Sequence, residues 1–120
     1  MLIKSLSQIP QFTAGDETLL REVLHPVNED IDLNYSIAHA VVLPGKASLP
    51  HILHRRSEVY FILNGTGEMH LNGKTAQVKK GDTVFIPAGA NQHIVNIGDT
   101  DLEFLAMVSP PWTDESEEVF

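Results

Sequence analysis

The sequence predicts an all-β fold with little helix, and three observations support this prediction. From residue 33 onward, short runs of β-branched and aromatic residues recur at intervals of roughly 8 to 12 residues, which is the spacing of a β-sandwich or barrel. Glycine, proline, asparagine and aspartate separate these runs, as turns between strands require. Finally, the Asn72-Gly73 pair fits a two-residue hairpin turn, in which both residues take a positive φ.

The first 32 residues are expected to form an N-terminal strand or arm. Within them, the apolar residues of the segment 16–24 would fit one face of a helix, while the same segment fits an edge strand equally well. We expect a strand, and the helix remains the alternative.

A barrel is expected over residues 33–109, with strands at approximately 33–43, 49–54, 58–63, 67–72, 74–79, 83–86, 92–97 and 102–108. The remaining residues, 110–120, include an acidic run and are expected to form a solvated tail, although Trp112 and the two prolines before it could pack across one end of the barrel. No linker divides the chain, so the three regions belong to one domain.

The composition argues against several classes of function. The net charge is −8 and basic residues cluster only at 55–56 and 79–80, so binding to nucleic acid or to an anionic membrane is not expected. There is no cysteine, so a metal ion would need nitrogen and oxygen ligands. The sequence has no leader-like apolar segment and no run of about 18 apolar residues, and we expect a cytoplasmic location.

Two segments combine regularly spaced glycines with potential metal ligands. The first contains Gly45, His51, Glu58 and Gly65, which are separated by five, six and six residues. The second contains Gly81, Pro87, Gly89, Gln92 and Asn96, which are separated by five, one, two and three residues.

These segments closely resemble the paired motifs of the cupin superfamily, G-x5-H-x-H-x3/4-E-x6-G and G-x5-P-x-G-x2-H-x3-N, from Gly45 to Asn96. The flanking segments look like those of single-domain cupins of the phosphomannose-isomerase-like "cupin 2" type. The resemblance implies a double-stranded β-helix, which is a jelly-roll-like barrel, whose motifs bring ligands to one divalent metal in the interior. An H-x-H pair suits this role because residues i and i+2 of a strand point to the same face.

The sequence departs from the motif at two of the four ligand positions. Leu53 replaces the second histidine and cannot coordinate a metal, and Gln92 replaces the histidine of the second motif with a neutral amide. His51, Glu58 and Gln92 are therefore the ligands that remain in register.

A histidine stands one residue beyond each replaced ligand, at His54 and His93. Because side chains alternate across a strand, both are expected to point out of the barrel unless a local bulge turns them inward. Three interpretations stay open: a site of the three ligands in register, a fuller site that adds His54 or His93, and a barrel without metal whose polar residues line a ligand pocket. Zinc, iron, manganese and nickel all suit one imidazole with two oxygen ligands.

Tyr60 shares a strand face with Glu58, and either side chain could transfer a proton to or from a bound substrate. Tyr60 could also contact the substrate, and His70 would join the pocket if the polar face of its strand looks inward. We expect a metal-binding cupin that binds or transforms a small oxygen-rich molecule, by isomerase, lyase or dioxygenase-type chemistry with the metal as a Lewis acid. The alternative is a non-catalytic module that binds a small molecule or a sugar without metal.

The resemblance also implies a homodimer. An apolar face made of Tyr35, Ile37 and Val41 is the candidate contact between the two copies. A small-molecule ligand and a second copy of the chain are therefore the expected partners.

Overall fold

Two antiparallel sheets face each other in the computed structural model, which describes residues 1–120. The strands are β1 (Phe12–Thr13), β2 (Leu19–Leu24), β3 (Ser36–Val42), β4 (His51–Leu53), β5 (Ser57–Asn64), β6 (Thr66–Leu71), β7 (Lys74–Lys79), β8 (Thr83–Ile86), β9 (Asn91–Asn96), β10 (Leu102–Ser109) and β11 (Glu117–Val119). The six-stranded sheet has the order β1-β2-β3-β10-β5-β8, and the five-stranded sheet has the order β11-β4-β9-β6-β7. The expected all-β barrel is confirmed.

Helical structure is limited to short pieces. One α-helix, α1, covers Pro26–Glu29, and 3₁₀ turns cover Leu6–Gln8 and Asp114–Ser116. None of the helices is long and apolar enough to cross a membrane. His25 caps the start of α1, where its Nδ1 accepts a hydrogen bond from the backbone N–H of Val27.

The hairpin predicted at Asn72-Gly73 joins β6 to β7. Asn72 has a φ of 50° and Gly73 a φ of 81°, and Leu71 pairs directly with Lys74 across the turn. Two positive φ values are what the type I′ turn needs, so the prediction from the asparagine–glycine pair is confirmed.

The ambiguous segment 16–24 supplies a strand, as expected, rather than a helix. Residues Leu19–Leu24 pair with β3, and Phe12 pairs with Leu20 to complete a hairpin with β1. The backbone hydrogen bonds that a helix would have made within the segment are made instead to neighbouring strands. Long-range pairing therefore decides a choice that local apolar spacing left open.

The C-terminal segment differs from the solvated tail that its acidic composition suggests. Residues Glu117–Val119 pair with β4, the N–H of Phe120 donates to the carbonyl of Pro50 at 2.9 Å, and the N–H of His54 donates to the carbonyl of Ser116 at 2.7 Å. The C-terminal strand forms hydrogen bonds with the backbone along one edge of β4. We infer that these hydrogen bonds outweigh the electrostatic cost of bringing the acidic side chains close to the barrel.

The hydrophobic core fills the space between the sheets but leaves room at one side. Tyr60 and Phe104 are fully buried within it, with ring centroids 4.3 Å apart. On β3 and β10, by contrast, the inward positions Ala38, Ala40 and Ala106 carry small side chains, and Ala38 pairs directly with Ala106. Because these alanines do not reach across the barrel, a cavity remains in front of them.

Candidate metal and ligand site

The cavity has a volume of about 200 Å³ and lies inside the barrel. Its lining combines the inward alanines of β3 and β10 with residues of the β1–β2 hairpin, β4, β5 and the C-terminal segment. Most of the lining is apolar, and the polar side chains include Asp16, His51, Glu58 and Glu117. The fold therefore places potential metal ligands and an apolar surface in one small enclosure.

Asp16, His51 and Glu117 form the cluster in this cavity that is best placed to hold a metal ion. One ligand atom from each residue lies within 4.8 Å of the corresponding atoms of the other two. Asp16 and His51 are buried and Glu117 is half-buried. The three residues come from the β1–β2 turn, β4 and β11, so the site depends on contacts between distant parts of the chain.

His51 is oriented for coordination by its second ring nitrogen. Its Nδ1 lies 2.8 Å from the carbonyl oxygen of Leu49, which can only accept a hydrogen bond, so Nδ1 carries the hydrogen. In the neutral ring, Nε2 then has a free lone pair, and it lies 3.7 Å from Oδ2 of Asp16. A lone pair facing a carboxylate is unfavourable unless a proton or a metal ion lies between them, so this geometry calls for a cation.

Asp16 is held by the turn that precedes β2. Its Oδ1 accepts hydrogen bonds from the N–H of Thr18 at 3.1 Å and from the Thr18 hydroxyl at 2.7 Å. The N–H of Leu49 donates to the Asp16 carbonyl at 2.7 Å and fastens the turn to the segment before β4. One carboxylate oxygen is thus occupied by the turn, and the other remains available beside His51.

Glu117 completes the cluster from the C-terminal strand. Burial raises the pKa of its carboxyl group above the ordinary value, the negative charge of Asp16 raises it further, and His51 acts in the opposite direction. Two carboxylates in a half-buried position repel each other, and a divalent cation would remove that repulsion.

A second polar group, Tyr60–Gln92–Glu58, is linked by hydrogen bonds. The hydroxyl of Tyr60 donates to Oε1 of Gln92 at 2.9 Å, and Nε2 of Gln92 donates to Oε1 of Glu58 at 2.8 Å. All three residues are buried. The three ligands that remained in register with the motif, His51, Glu58 and Gln92, therefore all lie inside the barrel. Glu58 and Gln92 hydrogen-bond each other, whereas His51 faces Asp16.

Glu58 holds a proton at neutral pH in this environment. Burial raises the pKa of its carboxyl group from 4.5 to about 8; the hydrogen bond from Gln92 opposes the shift, and the charges of Asp16 and Glu117 add to it. Burial also raises the pKa of Tyr60 well above its ordinary value, so this side chain remains a phenol. The cavity thus contains a neutral carboxylic acid beside the Asp16–His51–Glu117 cluster.

The other histidines singled out from the sequence lie outside the cavity. His54 follows β4, is exposed and pairs with Oε1 of Glu118 at 2.8 Å. His93 points away from the interior, because its neighbours Gln92 and Ile94 are the buried residues of β9. No bulge interrupts the pairing of β9 with β4 or with β6, so the alternation of side chains along β9 decides where His93 points.

His70, which could have joined the pocket, stacks on His93 instead. The two rings are 4.1 Å apart at an interplanar angle of 15°, and Nε2 of His70 hydrogen-bonds Oε1 of Glu68 at 2.7 Å. Burial and the neighbouring His70 both lower the pKa of His93. His70 does not line the cavity, because Met69 takes the inward position on β6.

Sequence reasoning missed two members of the cluster, Asp16 and Glu117. The sequence Asp16-Glu17-Thr18 carries a local signal, because an aspartate two residues before a threonine favours the turn that orients its carboxylate. Nothing comparable marks Glu117, which is one of four acidic residues in the run 114–118.

Comparison with known proteins identifies the family. The family described as "Cupin domain" matches residues 38–108. An uncharacterised protein of Methanocaldococcus jannaschii is 37% identical over 112 residues, covering 93% of this chain and 89% of the other. An "Oxalate-binding protein" of Thermotoga maritima is 43% identical over 65 residues, which is 54% of each chain.

A solved structure has the same architecture. The crystal structure of a predicted oxalate decarboxylase from Thermotoga maritima superposes with a TM-score of 0.81 at 28% identity, covering 91% of this chain and 99% of the other. The two-sheet barrel, the match over residues 38–108 and the relative that aligns along almost the whole chain agree with one another. The chain belongs to the cupin domain family.

Proposed function

We propose that the protein is a metal-binding cupin that holds a divalent ion between Asp16, His51 and Glu117 and binds a small molecule in the adjoining cavity. The observation that carries this proposal is the position of His51 Nε2, which lies 3.7 Å from Oδ2 of Asp16 while Nδ1 is bound to a backbone carbonyl. Glu117 adds a second carboxylate to the same position. An imidazole with two carboxylates fits zinc, iron(II), manganese or nickel.

The residues around this cluster fit a bound ion. The hydrogen bond from His51 Nδ1 to a carbonyl is the kind of supporting contact that orients metal-binding histidines, and Thr18 plays the same part for Asp16. When bound, the ion would supply Lewis-acid polarisation of a ligand oxygen. We therefore expect the ligand to present at least one oxygen atom to the cluster.

The chain's own contribution to chemistry would be proton transfer. Glu58 lines the cavity and carries a proton at neutral pH in the metal-free protein, and Tyr60 fixes the amide of Gln92 that orients the Glu58 carboxyl group. We propose Glu58 as the general acid and Tyr60 as a residue that positions it. Since the cluster has one histidine and two carboxylates, we favour isomerase or lyase chemistry over dioxygenase chemistry.

Metal analysis of the untagged protein tests the proposal. We expect about one equivalent of metal after supplementation with zinc, manganese, iron(II) or nickel, and at least a ten-fold loss of affinity in the His51→Ala variant. The matched control is His93→Ala, which removes a histidine from the outer face of the barrel and should leave the metal content unchanged. Metal content near zero after all four supplements would overturn the proposal.

A second candidate, a binding module without metal, is favoured by one specific observation. The Tyr60–Gln92–Glu58 group satisfies its hydrogen bonds internally, so these positions need no ion. This candidate predicts that a bound small molecule raises the melting temperature equally with and without a chelator, and that His51→Ala leaves that rise unchanged. The metal-binding function predicts that the chelator reduces the rise.

We also propose that the protein forms a homodimer through the outer face of the six-stranded sheet. The three residues suggested by the sequence do not form one exposed face, because Val41 is buried and Ile37 lines the cavity, while Tyr35 is exposed. Two exposed aromatic residues, Phe61 and Phe85, instead lie on the neighbouring strands β5 and β8. Light scattering after size exclusion should give twice the monomer mass, and a Phe61→Ser/Phe85→Ser variant should be monomeric.

A further inference from the structure

The lining of the cavity has an unusual balance of charge. Five acidic residues contribute to it, namely Asp16, Glu22, Glu58, Asp114 and Glu117. No lysine or arginine lines the cavity. The side chains of the lining that can carry a positive charge are those of His25 and His51. Both nitrogens of His25 are occupied, because Nδ1 accepts from the N–H of Val27 and Nε2 lies 2.7 Å from the carbonyl oxygen of Trp112.

Apart from His51, which already faces the carboxylate of Asp16, the cavity offers a free anion no side chain of opposite charge. A metal ion at the Asp16–His51–Glu117 cluster would bring two positive charges, but four carboxyl groups besides the neutral Glu58 surround the cavity. Like charges at short range in a partly buried site repel each other more strongly than they do in water. The charges around the cavity therefore favour binding of a neutral or positively charged molecule and disfavour binding of a dianion.

The shape and apolar surface of the cavity define the rest of the ligand. Ala38, Ala40, Phe104 and Ala106 supply a smooth apolar wall, and a volume of about 200 Å³ suits a compact group such as a single ring. For comparison, an apolar protein cavity of about 150 Å³ holds benzene. Burial of such a group would supply most of the binding free energy.

Aromatic side chains also line the cavity. Phe12 and Trp112 contribute to its wall, and Phe12 is half exposed while Trp112 is partly buried. The face of an aromatic ring attracts a cationic ammonium group, and tryptophan does so most strongly. Carboxylates and aromatic side chains together form an environment that suits an organic cation.

We propose that the natural ligand of this cavity is a small, positively charged amine that carries one compact apolar group and one neutral oxygen atom for the ion, rather than a small dicarboxylate. The inference rests on the proposed function in that it takes the same cavity as the ligand site, but it does not depend on the metal. It separates this chain from the Thermotoga maritima relative, which is named for oxalate binding.

A matched series of probes tests the charge preference. Benzylamine, benzyl alcohol and benzoate have similar size and differ in charge at pH 7, and oxalate adds a small dianion. Dissociation constants would be measured by NMR titration of the full chain after treatment with a chelator. The three aromatic probes would be measured a second time with saturating zinc. We expect benzylamine to bind at least ten-fold more tightly than benzyl alcohol and benzoate to bind most weakly of the three, with oxalate unbound in the metal-free protein.

Two variants locate the effect in the cavity. Asp16→Asn retains the oxygen that accepts from Thr18 but removes a charge, and it should weaken benzylamine binding at least three-fold in the metal-free protein. Asp99→Asn removes a charge from an exposed position outside the cavity and should leave benzylamine binding unchanged.

Two outcomes would overturn the inference. The first is benzoate or oxalate binding as tightly as benzylamine, and the second is no binding of benzylamine at 10 mM with or without zinc. The metal measurements on wild type and His51→Ala are independent of this series. A protein that binds benzylamine but no metal would therefore refute the proposed function alone, and one that binds metal but prefers benzoate would refute this inference alone.

Discussion

Oδ2 of Asp16 lies 3.7 Å from Nε2 of His51, inside the barrel and with both residues buried. Oδ1 of the same carboxylate is held by Thr18, and Nδ1 of the same imidazole is held by the carbonyl of Leu49. The two side chains are thus oriented towards each other by contacts on their far sides. This arrangement, with Glu117 beside it, accounts for the metal site that we propose.

The carboxylates of the cluster should contribute strongly to metal affinity. Asp16→Asn and Glu117→Gln each remove one anionic ligand while retaining the shape of the side chain, and each should lower zinc affinity at least ten-fold in calorimetric titration. Glu118→Gln is the matched control, because Glu118 neighbours Glu117 but pairs with the exposed His54. Equal zinc affinity in Glu117→Gln and Glu118→Gln would show that Glu117 is not a ligand of the ion.

Glu58 should make the stability of the metal-free protein depend on pH. The pKa of its carboxyl group is about 8 in the folded state against 4.5 ordinarily, so between these values the folded chain keeps a proton that the unfolded chain has lost. The contribution of Glu58 to the free energy of unfolding should therefore be greatest below about pH 4.5. It should fall as the pH rises from 4.5 to 8 and level off above pH 8. The full shift corresponds to at most about 5 kcal/mol.

Urea unfolding of wild type and Glu58→Gln at several pH values between 5 and 8.5 measures this contribution. The variant has no proton to lose at this position, so the difference in unfolding free energy between the two proteins should change steadily with pH. The half-buried Glu117 also has a raised pKa, but it is present in both proteins, so the difference between them follows mainly the titration of Glu58. A constant difference across the range would contradict the prediction.

Tyr60→Phe should destabilise the fold through Gln92 rather than through packing. The ring would stay against Phe104, but Oε1 of the buried Gln92 would lose its donor. An unsatisfied buried acceptor costs about 1–3 kcal/mol in unfolding free energy. Tyr35→Phe removes an exposed hydroxyl and should change stability by less than about 0.5 kcal/mol, so similar values for the two variants would argue against this role.

Deletion of residues 117–120 should leave the barrel folded but unable to bind zinc tightly. The deletion removes β11, exposes one edge of β4 and takes away the Glu117 carboxylate, but no residue of the hydrophobic core lies in the deleted segment. Circular dichroism would report the fold and calorimetry the zinc affinity. Full-length Glu117→Gln separates the lost charge from the lost strand, and unchanged zinc affinity in the deletion would contradict the prediction.

Much of the barrel could be predicted because its signals are local. The asparagine–glycine pair at 72–73 specifies its own turn, and the period of two along β4 and β9 is enough to place His51 and Gln92 inside and His93 outside. The sequence left open a bulge that would turn His54 or His93 inward, but β9 pairs without one and His54 lies exposed beyond the end of β4.

The Asp16–His51–Glu117 cluster could be predicted only in part, because two of its members are positioned by contacts far along the chain. Asp16 reaches His51 through the hydrogen bond between its carbonyl and Leu49, and Glu117 reaches it through the pairing of β11 with β4. An acidic run such as 114–118 looks the same whether it is solvated or paired with a strand edge. No periodicity within the run distinguishes Glu117 from its neighbours.

The pairing of the C-terminal strand with β4 has a consequence for how the chain ends behave. Asp16, His51 and Glu117 lie close together although about 100 residues separate the first from the last. An ion shared by them would close residues 16–117 into a loop, so local opening at Asp16 or at β11 would require the ion to leave first. Slower amide exchange beside Asp16 and along β11 would then accompany a filled site.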